Sequence, residues 1–260
     1  MKIIITTTQA GREPNNLLKS FIDESMLSFV ERRRKALPML MEEHQADAVI
    51  VWRAEGPVLY SGHDMEEFYF HPSMAKNRLS SLRKLALPDP FINACGLKRD
   101  STVLDCTMGR GADAIAASYI CGSGKVLGLE SVFAIALVMK WGMKLYRSRM
   151  PWLDEAIHGI KVEYADHNTY LKEAKDNSFD IVYFDPMFRQ PRHKSQPISP
   201  LRQLADHRPL ETSAIREACR VARKKVVVKE TFSSGEFERL GFKKIMGSHH
   251  NPINYGVIEL

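Results

Sequence analysis

Hydrophobic and polar positions change their rhythm near residue 90. Beyond it, short apolar runs alternate with helix-like segments. Ser101–Asp105 reads as a strand, and Ala112–Cys121, rich in alanine and followed by Gly122, as a helix. Lys125–Glu130 is a second strand, and Val132 to about Arg149 a long apolar helix ended by Pro151. Lys161–Asp166 and Phe179–Asp185 are the third and fourth strands. Glu211–Ala222 is a helix with Ala214, Ile215, Ala218, Val221 and Ala222 on one side. Lys225–Lys229 is a fifth strand, and Phe242–Met246 with Tyr255–Leu260 a closing pair. Strands alternating with helices predict an α/β fold built on a doubly wound, mostly parallel sheet.

The earlier residues read differently. Lys2–Thr7 is β-rich and Asn16–Phe29 helical. Val49–Trp52, Val58–Tyr60 and Glu67–Phe70 are short strands, and Ser73–Leu85 is helical again. Leu87-Pro88-Asp89-Pro90 then breaks the pattern. It marks the expected boundary between a small N-terminal α+β domain, residues 1–87, and a larger domain, residues 88–260. The longest apolar stretch, Val132–Met139, is far short of the ~20 residues a membrane span needs and reads as core. Met1–Thr6 has too short an apolar run for a secretory signal. Cys95, Cys106, Cys121 and Cys219 lie far apart with no Cys-x-x-Cys pair. That argues against a zinc site or a disulfide framework, and for reduced thiols in the cytoplasm. No metal is expected.

Composition adds little, with 44% hydrophobic and 26% charged positions among 260. Those values are ordinary for a globular chain and exclude low-complexity disorder and collagen. The location of charge says more. Residues 181–260 carry 14 Lys+Arg against 8 Asp+Glu, which accounts for the whole net charge of +6. Arg189–Lys229 alone holds 11 basic and 3 acidic residues. Such a segment can neutralise phosphates, so nucleic acid is a candidate partner beside a plain solvated surface.

The first strand runs into Asp105-Cys106-Thr107-Met108-Gly109-Arg110-Gly111-Ala112-Asp113 and then a helix. Glycines there permit a tight turn and close backbone approach to a ligand. Gly109-x-Gly111-x-x-Ala114 also fits a dinucleotide fingerprint, which keeps an NAD-linked reductase open. Carboxylates separate the candidates. Asp105, Glu130, Asp166 and Asp185 each end one of the first four strands, and those ends share one rim of a doubly wound sheet. Four acids repel a pyrophosphate. They suit S-adenosylmethionine (SAM), which presents an ammonium, a sulfonium, ribose hydroxyls and an adenine amine. At the fourth strand end stands Asp185-Pro186-Met187-Phe188. A carboxylate next to a carbonyl, on backbone stiffened by proline, can hold an exocyclic amine by its two hydrogens. The aromatic beside them can stack on a base.

These residues resemble a known family. Val103–Asp113, Asp185–Phe188 and Lys225–Lys229 look like class I SAM-dependent methyltransferases, with their Rossmann-like fold. They are most similar to the RsmJ family, which methylates a guanine N2 in 16S ribosomal RNA. The resemblance covers about residues 90–260, and the N-terminal part, including Phe70–Ala75, resembles the extra domain of uncharacterised relatives. It implies that Asp105, Thr107, Gly109 and Gly111 shape the methionine side of a SAM pocket. Ala112 and Asp113 match the cofactor-contacting pair after the glycines. Glu130, with Ser131 beside it, would accept from the ribose hydroxyls, and Asp166 and His167 match the adenine-side pair. Asp185 would touch both cofactor and target amine. Four positions, at three places in the chain, depart from the RsmJ pattern. That pattern has Arg-Asp at Ala112-Asp113, Ser-Ser at Asp166-His167 and a further Pro at Arg189. The departures bear on the ribosomal target more than on the cofactor.

The expectation is therefore a cytoplasmic SAM-dependent methyltransferase with no membrane partner, acting on an exocyclic amine of an RNA base. Arg189, Arg192, Lys194 and Arg202 are expected to meet RNA phosphates near the target. The alternatives are a methyltransferase acting on protein, DNA or a small molecule, and a non-catalytic RNA-binding protein that keeps the fold. Other features have simpler explanations. His249-His250 lack an acidic partner and read as surface loop, and Arg32-Arg33-Arg34-Lys35 as a solvated helix face. Cys106 lies in the glycine turn with nothing nearby to mark it as a nucleophile.

Overall fold

A computed structural model describes residues 1–8, 15–62, 64–85, 88–186, 206–247 and 252–260. The described residues fall into two compact units. The first takes in Met1–His71 and Leu137–Arg147, and the second Pro72–Ala136, residues 148–186 and residues 206–260. The N-terminal segment of the first unit stops at His71, and the helix Ser73–Leu85 groups with the second unit.

In the first unit the strands are β1 (Ile3–Thr7), β2 (Ser28–Phe29), β3 (Ala48–Arg53), β4 (Gly56–Ser61) and β5 (Glu66–Phe68). They form one sheet in the order β2-β1-β3-β4-β5. β2, β1 and β3 run parallel, and β4 and β5 return antiparallel. Helices α1 (Asn16–Ser25) and α2 (Leu37–Glu43) link the parallel strands. β3 reads Ala-Val-Ile-Val-Trp without alternation because both faces of the sheet are covered. On one face Ile4, Leu40, Val49, Val51, Val58 and Tyr60 pack together. Elsewhere in the unit Phe21, Trp52 and Trp141 meet ring to ring at 5.1–5.8 Å. The indole of Trp141 donates to Glu24 Oε2 at 3.2 Å, so its polar edge is not stranded.

Two expectations fail here. The helix expected over Asn16–Phe29 stops at Ser25, where Met26 turns left-handed and its N–H closes on the Ile22 carbonyl. The chain is then free to pair Ser28 and Phe29 with β1. Arg32–Lys35 form no helix face. Arg33 and Arg34 have φ of 43° and 64°, which no right-handed helix contains, and α2 begins only at Leu37.

The second unit opens with α3 (Ser73–Leu85) and α4 (Pro90–Cys95). Leu87–Pro90, expected to be a linker, in part starts this helix. Asp89 caps α4 by accepting from Ile92 N at 3.0 Å, and proline in the first turn costs no hydrogen bond. There follow β6 (Val103–Asp105), α5 (Ala112–Cys121), β7 (Val126–Glu130), α6 (Phe133–Leu145), α7 (Pro151–His158), β8 (Ile160–Tyr164), α8 (His167–Glu173) and β9 (Phe179–Phe184). The chain ends with α9 (Thr212–Val221), β10 (Ala222–Thr231), α10 (Glu236–Arg239), β11 (Lys244–Met246) and β12 (Ile253–Glu259). From Leu137 onward, α6 belongs to the first unit. The long helix expected to run to about Arg149 stops at Leu145, and Pro151, expected to end it, opens α7 instead.

The sheet order is β11-β12-β10-β9-β6-β7-β8. β6 to β10 are all parallel, and β12 alone lies antiparallel to its neighbours β10 and β11. β7 and β8 extend from β6 in one direction, and β9 and β10 in the other. The chain order therefore reverses between β6 and β9, where doubly wound sheets hold their ligands. Residues of β9 alternate between faces. Val182 and Phe184 pack with Ala214, Ile215 and Ala218 of α9, whereas Tyr183 meets Phe91 of α4 at 4.7 Å.

Gly142 sits within α6, a position where alanine normally adds about 1 kcal/mol. A methyl there would overlap Phe70 Cβ and lie 3.2 Å from its Cγ. Gly142→Ala is therefore expected to destabilise, by roughly 1–3 kcal/mol, and urea unfolding checks the sign.

Candidate active site

Asp105 ends β6 and Glu130 ends β7; Asp185 follows β9 by one residue, and Asp166 follows β8 by two. The four expected carboxylates thus share the carboxyl rim of the sheet, with Asp105 and Asp185 flanking the reversal point. Asp105 is buried, and its Oδ1 accepts from Thr107 N at 3.1 Å. Burial pushes its carboxyl well up, and the nearby Asp113 adds to that. Thr107 Oγ1 accepts from Asp185 N at 2.6 Å, which ties the glycine loop to the end of β9.

Gly109 and Gly111 take φ of 49° and 70°, conformations that favour glycine. Gly111 caps α5, so Ala112 is the first residue of that helix and Asp113 lies in its first turn. Glu130 holds the loop from the neighbouring strand. Its Oε2 accepts from Gly109 N at 3.2 Å and its Oε1 from Val132 N at 2.9 Å. Burial raises its carboxyl nonetheless, the backbone donors working against the shift. Ser131 follows it, half-buried.

Asp113 accepts three side-chain hydrogen bonds. Its Oδ1 accepts from Arg78 Nη1 at 2.6 Å. Its Oδ2 accepts from Tyr183 Oη at 2.7 Å and from Lys229 Nζ at 3.1 Å. Burial works to raise this carboxyl, but Lys229 and Arg78 outweigh it and hold it well below the usual range. Lys229 also donates to Asp185 Oδ2 at 2.6 Å. Asp185 stays raised by burial, with Lys229 opposing and Asp113 reinforcing the shift. Arg78 is shared with Asp89, to which it donates through Nε and, at 2.9 Å, through Nη2.

Asp166 is a helix cap as well as a rim acid. Its Oδ1 accepts from Asn168 N and Thr169 N, and Arg208 donates to its Oδ2 at 2.5 Å. His167 opens α8 with its ring edge-on to Phe184 at 5.7 Å. Its Nε2 is buried without a hydrogen-bond partner among the described residues, and burial lowers its pKa. Pro186 is half-buried after Asp185. Met187 and Phe188 lie outside the described residues, as do Arg189, Arg192, Lys194, Arg202, His249 and His250.

The sequence reading missed several members. Lys229 stood only as part of a strand, although a lysine closing an apolar β run is a visible anomaly. Arg78 carries no such signal on its polar helix. The basic run also looks different in place. Arg208 pairs with Asp206 and Asp166, Arg220 with Asp176 and Glu217, and Arg223 and Lys224 with Asp180. Lys225 pairs with Glu259. These cations are engaged by carboxylates.

Comparisons with known proteins bear on family and fold. A family model described as "Putative SAM-dependent methyltransferase" matches residues 69–239. The chain is 33% identical to the uncharacterised protein YpiP of Bacillus subtilis over 99% of both chains. It is 29% identical to ribosomal RNA small subunit methyltransferase J of Acinetobacter baumannii over 126 residues, which is 47% of this chain and 44% of that one. The match thus spans less than half of that relative. In fold, the chain is similar to a SAM-dependent methyltransferase of Neisseria gonorrhoeae, with a TM-score of 0.67 at 16% identity, covering 99% of this chain and 96% of that one.

Removing the Asp113 carboxylate takes one of two carboxylate partners from each of Arg78 and Lys229, which keep Asp89 and Asp185. Asp113→Ala is expected to cost about 1–3 kcal/mol in urea unfolding. The folded carboxyl lies below its unfolded value of about 3.9, so its stabilisation is present above that pH and fades as the pH falls further. Asp113→Asn should therefore flatten the acid limb of the stability curve.

Proposed function

This chain belongs to the SAM-dependent methyltransferase family, and we propose that it methylates an exocyclic amine of an RNA base, guanine N2 in ribosomal RNA being the target that the resemblance to the RsmJ family implies. One observation carries the reading. The Asp185-Pro186 pair stands at the point where the sheet order reverses, one strand from Asp105, with its backbone tied to the glycine loop. An amine held by that pair and a methyl donor lodged over Asp105 face each other. The partial match to a ribosomal RNA methyltransferase supports the RNA acceptor.

The residues fit SAM. Asp105 uses one backbone N–H and keeps lone pairs for an ammonium. Glu130, already oriented by Gly109 and Val132, has acceptor capacity left for ribose hydroxyls. Thr107, Gly109, Gly111, Ala112 and Asp113 bound the methionine side, Ser131 lies beside the ribose, and Asp166 with His167, whose Nε2 has no hydrogen-bond partner among the described residues, bounds the adenine side. When bound, SAM supplies a methyl group activated by its sulfonium.

The protein's part is alignment. Asp185 Oδ1 and the Pro186 carbonyl accept the two amine hydrogens and aim the nitrogen lone pair at the methyl. The Asp185 carboxylate then takes the proton released on transfer. An exocyclic amine is a weak nucleophile, so orientation supplies most of the rate. A paired base cannot enter such a site, so the target is unpaired or flipped out, with Phe188 stacking on it. Arg189, Arg192, Lys194 and Arg202 meet the flanking phosphates.

Two measurements test this. Labelled SAM offered to RNA, DNA and protein fractions should mark RNA, and nucleoside mass spectrometry should return N2-methylguanosine. Asp185→Ala should cut transfer by about a hundredfold or more while the protein stays folded. A methyl on ribose oxygen, base carbon or protein overturns the proposal. The second measurement concerns Asp105. Its carboxyl is raised in the free protein, and a ligand ammonium favours the ionised form. SAM binding should therefore release protons and tighten as the pH rises through that titration. Calorimetry in buffers of different ionisation enthalpy reads the release, and Asp105→Asn should remove it.

A further inference from the structure

Lys229 has a place that the reading above does not use. β10 pairs with β9 so that Val228 lies opposite Phe184, which sets Lys229 level with Asp185. The lysine side chain is 17% exposed and Asp185 28% exposed. A buried lysine can serve merely to balance charge. Three features indicate more. Asp113 already has the Arg78 guanidinium and the Tyr183 hydroxyl as donors. The shorter contact of Lys229 runs to Asp185, 2.6 Å against 3.1 Å. It also engages Oδ2 alone, and Oδ1 has no hydrogen bond among the described residues.

We propose that Lys229 is the positioning residue of Asp185: its ammonium clamps Oδ2, keeps the carboxylate ionised and turns Oδ1 toward the methyl-accepting amine. The proposal rests on the reading of Asp185 as the amine acceptor. The surroundings explain why a clamp is needed. Asp105 on β6 and Asp113 on α5 face Asp185 and disfavour its charge. Tyr183 on β9, Tyr255 on β12 and Glu230 on β10 also lie within electrostatic reach. Lys229 and Arg78 of α3 act in the other direction on Asp185, and Arg78 is spent on Asp89 and Asp113. Without Lys229 the carboxyl would take up a proton at a higher pH, and a protonated Oδ1 accepts the amine hydrogen poorly. Asp113 in turn steadies Lys229 and Tyr183, so a chain of contacts joins the glycine loop's helix to the acceptor acid.

The test uses the full-length protein and two variants, Lys229→Gln and Lys229→Arg, each first checked for folding by circular dichroism. Carbon-13 NMR follows the Asp185 carboxyl against pH without substrate, assigned by difference from Asp185→Asn. Lys229→Gln should move its titration up by about one unit or more, and Lys229→Arg should keep it near the parent. The pH profile of kcat for methyl transfer to RNA at saturating SAM should move its acid limb by the same amount in Lys229→Gln, with Lys229→Arg restoring activity. An unmoved Asp185 titration overturns the proposal. So does a loss of transfer equal at every pH and shared by both variants. If the parent methylates no RNA while the titration moves as expected, the RNA reading fails and the role of Lys229 stands.

Discussion

The carboxylate of Asp113 is the constraint around which the second unit is arranged. A buried carboxylate without partners costs several kcal/mol, so the fold must deliver donors to it. It does so from three elements: Arg78 from α3, Tyr183 from β9 and Lys229 from β10. Two of these donors carry a second obligation. Arg78 reaches on to Asp89, the cap of α4, and Lys229 reaches on to Asp185. Satisfying one buried charge thereby fixes where Asp185 stands relative to the glycine loop.

The same economy shapes the rim. Glu130 crosses from β7 to hold Gly109, and Thr107 holds the backbone at Asp185. The loop between β6 and α5 is consequently bonded on both sides, to β7 and to the end of β9, before any ligand arrives. Preformed geometry of this kind matters for a reaction whose acceptor is weak. The rate then depends on a small set of distances, and a site that must reorganise loses that advantage. Asp105 is the exception, a buried acid with one backbone donor, and that deficit is what a ligand cation would relieve.

Much of this was legible in the chain. Runs such as Phe179–Phe184 and Lys225–Lys229 announce buried parallel strands, and the rim acids follow because each ends a run. The closing antiparallel pair was visible for the same reason. What escaped was short or shared. α2, α4, α7 and α8 are at most eight residues long, too brief for periodicity to speak, and three of the four begin at a proline or a capping aspartate that also reads as a loop. Arg78 could not be found, because nothing local distinguishes a helix arginine that meets solvent from one that meets two buried acids.

The basic run shows the limit of charge as a guide. Counted along the chain, Arg189–Lys229 looks like a surface for phosphates. In the fold, Arg208, Arg220, Arg223, Lys224, Lys225 and Lys229 each answer a carboxylate, several of them acids that cap helices or line the sheet. Their charge is consumed by the structure's own acids, so it contributes little to a field that nucleic acid would feel. The weight of the RNA reading therefore shifts from net charge to acceptor geometry. A pair of hydrogen-bond acceptors aimed at one amine selects by shape and valence, and it does so at any ionic strength. Net charge could bring many polymers near this rim, whereas the proposed use of Asp185 and Pro186 together calls for a free amine with two hydrogens.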